Sequence, residues 1–116
     1  SGTWVAGYSF GALIGMQLLM RRPEMKGFIS ISPPANLYDF GFLAPCPSSG
    51  IIVQGTTDEV VAEPAVQKLV DKLKTQKHII IDYEKIEGAN HFFASEMPDL
   101  MGRVERYLDR RLLTDR

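Results

Sequence analysis

The stretch Trp4-Val5-Ala6-Gly7-Tyr8-Ser9-Phe10-Gly11 decides how the chain is read. A short apolar run ends at Gly7, and a second apolar stretch, 12–20, begins almost at once. Strand, sharp turn, helix is the reading that accommodates both. At that turn lies Gly7-Tyr8-Ser9-Phe10-Gly11, a G-x-S-x-G sequence. A serine nucleophile on so tight a turn needs neighbours with almost no side chain, because strand and helix nearly touch, and Gly7 and Gly11 supply that clearance. Ser9 then projects beyond the strand's carboxyl end, and the backbone N–H of Phe10, at the helix start, points at an oxyanion. The plainer role for Ser9 is a helix N-cap.

Outward from this turn, Leu13, Ile14, Met16, Leu18, Leu19 and Met20 make the first helix apolar almost all round, predicting burial against a sheet with Gly11 and Gly15 one turn apart on one face. Arg21, Arg22 and Pro23 end it. Phe28-Ile29-Ser30-Ile31 reads as a second strand closed by Pro33 and Pro34. Segment 35–50 reads as an ordered loop with a helical turn near Asp39. Ile51-Ile52-Val53-Gln54-Gly55 is a third strand whose β-branched run predicts burial on both faces, as in a parallel sheet. Pro64 opens an amphipathic helix with Val66, Leu69, Val70 and Leu73 at i, i+3, i+4 and i+7. A fourth strand is predicted over 78–83, then a loop over 88–96. Pro98 opens a last helix with Met101, Val104, Tyr107 and Leu108 inward. Strand alternating with helix requires crossover connections. The fold class is therefore α/β, a parallel sheet of about four strands with helices on both faces, in a single domain spanning 1–116.

Composition narrows the function classes. At 116 residues, with 45% hydrophobic and 23% charged positions, the chain is ordinary globular material. Folding buries roughly two thirds of its extended surface, enough for one core. Thirteen basic against fourteen acidic residues leave a net charge of -1, which excludes the electrostatic footprint of a nucleic-acid binder. The single cysteine, Cys46, excludes an internal disulfide and a multi-thiolate metal site, and points to a reducing, cytoplasmic setting. No apolar run reaches the ~18 residues of a membrane span, and no targeting segment is recognisable. The first residues, Ser1-Gly2-Thr3, contain no initiating methionine and lead directly into strand-like sequence, so a piece of a longer chain is expected.

A serine hydroxyl is a poor nucleophile unless a histidine accepts its proton and an acid orients that histidine. Of two histidines, His78 precedes an isoleucine run at the mouth of a strand and reads as a surface or packing residue. His91 sits in Gly88-Ala89-Asn90-His91-Phe92-Phe93, past the end of the fourth strand, where parallel-sheet sites assemble. The expected acid is Asp58 in Gly55-Thr56-Thr57-Asp58-Glu59-Val60-Val61, past the third strand, with Glu59 in reserve. Ser9, Asp58 and His91 thus follow three different strands, in the chain order Ser, Asp, His of the α/β-hydrolase arrangement.

Through these three segments the sequence resembles the α/β-hydrolase superfamily, particularly its compact bacterial esterase-like and dienelactone-hydrolase-like branches, over essentially its whole length. The resemblance implies a nucleophile at Ser9, an acid at Asp58, a base at His91 and one oxyanion donor at the Phe10 amide. It also implies several strands and a second oxyanion donor ahead of the nucleophile strand, which these residues do not contain. Loss of one such donor costs about 2.7 to 4 kcal/mol of transition-state stabilisation. The expected reaction is cleavage of a small-molecule ester or thioester through an acyl-enzyme, with no metal and no organic cofactor. Cleavage of amides or peptides on the same triad is the nearest alternative, and a non-catalytic interaction module is the other. Phe10, Phe42, Leu43, Phe92 and Phe93 are candidates to line an acyl pocket. The open edge of the first strand predicts self-association. Neither nucleic acid nor membrane is an expected partner, and the first turn lacks the glycine patterns of a phosphate binder.

Overall fold

The computed structural model describes residues 2–114. Four strands, β1 (Trp4–Tyr8), β2 (Gly27–Ile31), β3 (Gly50–Gly55) and β4 (Ile81–Ile86), form one sheet in chain order, every pair parallel. Helix α1 (Phe10–Arg21) joins β1 to β2, and α2 (Glu63–Leu73) joins β3 to β4. A short 3₁₀ turn (Gly41–Leu43) lies between β2 and β3, and α3 (Met97–Thr114) follows β4. Because a crossover between parallel strands has one hand, three connections stepping the same way across a sheet lie on the same face. Accordingly Leu13, Met16 and Leu19 of α1, Val66, Leu69, Val70 and Leu73 of α2, and Leu43 pack on Phe28 and Ile52 in one core. The opposite face carries Ile29, Ile51, Val53 and Ile86, covered by Leu100, Val104 and Tyr107 of α3. The period-2 alternation of strand side chains feeds both cores from the same strands. Ile51, Ile52 and Val53 are consequently all within 1% of full burial, as the β-branched run predicts.

Four details depart from the sequence expectation. Strand β4 is displaced from 78–83 to Ile81–Ile86, because its partner begins at Gly50, which pairs with Ile81. Ile80, ahead of that register, is 74% exposed. Helix α1 is one-sided despite its composition, with Ala12, Leu13, Gly15, Met16 and Leu19 buried but Ile14 and Leu18 exposed. In α3 the inward residue is Leu100, and Met101 faces out. The helical turn expected near Asp39 forms two residues later, where Asp39 Oδ1 accepts the Gly41 N–H. Among the described residues, no helix is long and apolar enough to cross a membrane.

Candidate active site

The carboxyl ends of the strands make one rim, and backbone strain concentrates there. Ser9 after β1 (φ 57°), Ser32 after β2 (φ 53°) and Phe93 beyond β4 (φ 51°) are the non-glycine residues with positive φ among those described. Such a conformation costs about 1–3 kcal/mol and persists only where surrounding bonds dictate it. At Ser9 they do. Its N–H donates to the Ile31 carbonyl at 2.8 Å and its own carbonyl accepts the Ala12 N–H at 2.9 Å, so both strand neighbour and helix hold the turn. A Cβ on Gly7 would sit on the Gly11 carbonyl oxygen, so Gly7 supplies the clearance between strand and helix. Gly11 does not, since a Cβ there meets open space. The Ser9 side chain makes no helix-capping hydrogen bond; it turns toward the loop after β4 instead.

There Ser9 Oγ lies 3.0 Å from His91 Nε2, and His91 Nδ1 lies 2.8 Å from Asp58 Oδ2. The three residues expected from the sequence are thus brought together. Glu59 and His78 are exposed and outside the cluster. The Asp58 carboxylate is fully enclosed, and the imidazole is 8% exposed. The other carboxylate oxygen, Oδ1, accepts the Val60 and Val61 N–H groups at 2.8 Å each. With both oxygens accepting, Asp58 fixes the tautomer: Nδ1 carries the hydrogen and Nε2 is the acceptor facing Ser9.

The acid and base loops are bound to one another. The Thr57 N–H and hydroxyl both donate to the Ala89 carbonyl, and the Thr56 hydroxyl accepts the Gly88 N–H. A Cβ on Gly55 would strike that Ala89 carbonyl, so only glycine permits the approach. Asn90 Oδ1 accepts the Phe92 and Ala94 N–H groups, shaping the loop just past His91. From the β2 side, Asn36 donates to the Val60 carbonyl and accepts the Ala62 N–H, steadying the loop that carries Asp58.

No family model matches the chain. It is 49% identical over 108 residues to an uncharacterised protein of Rickettsia prowazekii, covering 90% of this chain and 45% of that one. A solved structure from Agrobacterium tumefaciens, a protein of unknown function described as a candidate α/β hydrolase, superimposes with a TM-score of 0.94 at 63% identity, over 96% of this chain and 51% of the other. An α/β serine hydrolase homologue from Coxiella burnetii matches with a TM-score of 0.82 and 30% identity, over 93% of this chain and 50% of that one. The chain carries part of the α/β-hydrolase fold. It spans about half the length of the relatives it matches.

Within this partial α/β-hydrolase fold the expected acyl-pocket residues divide. Phe10 and Phe92 are exposed at the rim, at 54% and 66%. Phe93 and Leu43 are core residues on opposite faces of the sheet, and Phe42 packs against the Leu43 side, so these three do not form a pocket beside Ser9. Two residues of the site were not singled out from the sequence. Tyr8 donates its hydroxyl to the His91 carbonyl at 2.7 Å, and its ring lies 5.3 Å from the imidazole. Partial burial, and secondarily the nearby Asp58 charge, push its phenol above the ordinary range. Gln54, wholly buried at the end of β3, reaches Asp58 with its side-chain amide. The signal for Tyr8 was its position beside the nucleophile; for Gln54 it was a polar residue inside an otherwise apolar strand. Among the described residues, no group of three or more His, Cys, Asp or Glu is arranged to hold a metal.

Proposed function

We propose that this chain carries the acyl-transfer centre of a serine hydrolase that cleaves a carboxylic ester or thioester. Ser9 Oγ attacks the carbonyl carbon while His91 Nε2 takes the hydroxyl proton. Asp58 holds the ring and stabilises the imidazolium that forms. The Phe10 N–H, which has no intrahelical acceptor at the first position of α1, donates to the developing oxyanion. Collapse of the tetrahedral intermediate breaks the bond to the alcohol or thiol, which leaves with the proton held by His91. Water then attacks the acyl-enzyme, again giving its proton to His91, and Ser9 is regenerated with release of the acid.

The observation that supports this most directly is the continuous contact from Ser9 Oγ through the imidazole to Asp58, at 3.0 and 2.8 Å. A helix-capping serine in a binding module has no need of it. The test is labelling of the full-length protein with a fluorophosphonate probe, alongside hydrolysis of an aryl ester and a peptide anilide. Rapid labelling that is lost in Ser9→Ala and His91→Ala, with the ester turned over faster than the anilide, is the expected result. Absence of labelling in the parent protein overturns the reading.

A further inference from the structure

Resting on that reading, we propose that Gln54 is a positioning residue for the reaction, closing the loop that carries Asp58 around its own side-chain amide and holding the carboxylate in line with His91. Gln54 is the penultimate residue of a strand whose other side chains are apolar, and it is 0% exposed. A buried amide of this size is costly unless its donors are used. Its Nε2 lies 3.2 Å from the Gly55 carbonyl, 3.3 Å from Asp58 Oδ2 and 3.1 Å from the Val61 carbonyl. The start, the acid and the end of loop 55–61 therefore converge on one nitrogen. Gln54 Oε1 has no hydrogen-bond partner among the described residues, so donation from Nε2 is what orients the group.

This arrangement complements the others acting on Asp58. The Val60 and Val61 N–H groups grip Oδ1 from within the loop. Among the described residues, Oδ2, which meets the imidazole, receives only Gln54 besides. Gln54 thus supports the oxygen on which the orientation of His91 depends, without touching substrate or the reacting atoms. A neutral carboxylic acid at position 54 donates an O–H to the same oxygen, whereas an ionised one repels it.

The experiment compares the full-length parent with Gln54→Met, Gln54→Glu, Asp58→Asn and Gln54→Met/Asp58→Asn, reading fluorophosphonate labelling rate and aryl-ester kcat and KM across pH, with Tm recorded for each. Gln54→Met is expected to lower kcat about ten- to hundred-fold, with KM within two-fold, since a hydrogen bond to a charged group is lost. In the Asp58→Asn background the same change is expected to cost less than three-fold, because a residue acting through Asp58 has nothing left to act on. Gln54→Glu is expected to give a bell: two carboxyl groups in contact share a proton, and activity falls again where rising pH removes it. A Gln54→Met loss that persists undiminished in the Asp58→Asn background, or a Gln54→Glu profile parallel to the parent's, overturns the proposal while the hydrolase reading stands. Failure of the parent to label removes both. If Gln54→Met proves unstable, the Gln54→Glu profile, a ratio within one variant, carries the decision.

Discussion

Tyr8 and His91, far apart in sequence, are joined by a 2.7 Å hydrogen bond from the phenol to the main-chain carbonyl, while the next residue, Ser9, meets the same histidine's ring at 3.0 Å. One dipeptide at the end of β1 therefore grips His91 at both backbone and side chain. Tyr8→Phe removes only the hydroxyl from a residue that is 42% exposed. The expected outcome is a five- to ten-fold lower kcat/KM for an aryl ester, matching a hydrogen bond worth about 1 kcal/mol, with little change in Tm.

The two glycines of the turn between β1 and α1 answer differently to alanine. Gly7→Ala drives a methyl group into the Gly11 backbone and is expected to destabilise by about 1–3 kcal/mol or more. Gly11→Ala meets open space inside a helix and is expected to stabilise by about 0.5–1 kcal/mol. Urea denaturation of both variants gives the comparison. Equal destabilisation by the two would contradict the assigned clearances.

Phe92 and Phe93 are neighbours with opposite roles. Phe93, 1% exposed, packs against the α3 side of the sheet, so Phe93→Ala is expected to cost about 3–5 kcal/mol. Phe92 stands at the rim with its ring edge-on to His91, 5.5 Å away. Its replacement by alanine is expected to shift stability by no more than ~0.5 kcal/mol, and KM for apolar esters, measured in parallel, is expected to rise.

Cys46 is buried, and burial raises its thiol above the ordinary value of 9.0, opposed in part by the backbone at Ser48. In the unfolded chain the thiol ionises first, so over the interval between the two values the unfolded state binds fewer protons. Stability from this group is complete below pH 9 and declines as pH rises toward the folded value. Thermal denaturation from pH 7 to 10 is expected to show a steeper alkaline decline in the parent than in Cys46→Ala. Thiol reagents are expected to modify Cys46 only after unfolding.

Much of this architecture was legible because local pattern and tertiary environment agreed. The i, i+3, i+4, i+7 series in α2 is buried as spaced, and the sequence Gly7 to Gly11 turns where its residues require. Ser9, Asp58 and His91 were legible because each follows a strand, and parallel strands deliver their carboxyl ends to one rim. What failed was information held by a distant partner. The isoleucines at 79–81 have strand propensity throughout, but pairing with Gly50 sets where β4 begins. The outward Ile14 and Leu18 carry no local mark distinguishing them from Leu13 and Leu19. The contacts of Tyr8 lie 83 positions away, beyond the range of any periodicity.

The pairing of Thr56 and Thr57 with Gly88 and Ala89 has a consequence for how such a centre is assembled. In the proposed mechanism it fastens His91 and Asp58 into one unit on adjoining strands β3 and β4, whereas Ser9 arrives from the far side of the sheet, across β2. Repacking β1 then alters both the reach of Ser9 and the grip of Tyr8 on the His91 backbone, while the contact between His91 and Asp58 is held from β3 and β4. On that mechanism Ser9→Cys changes the group presented to His91 without disturbing the bonds that hold His91 and Asp58 together.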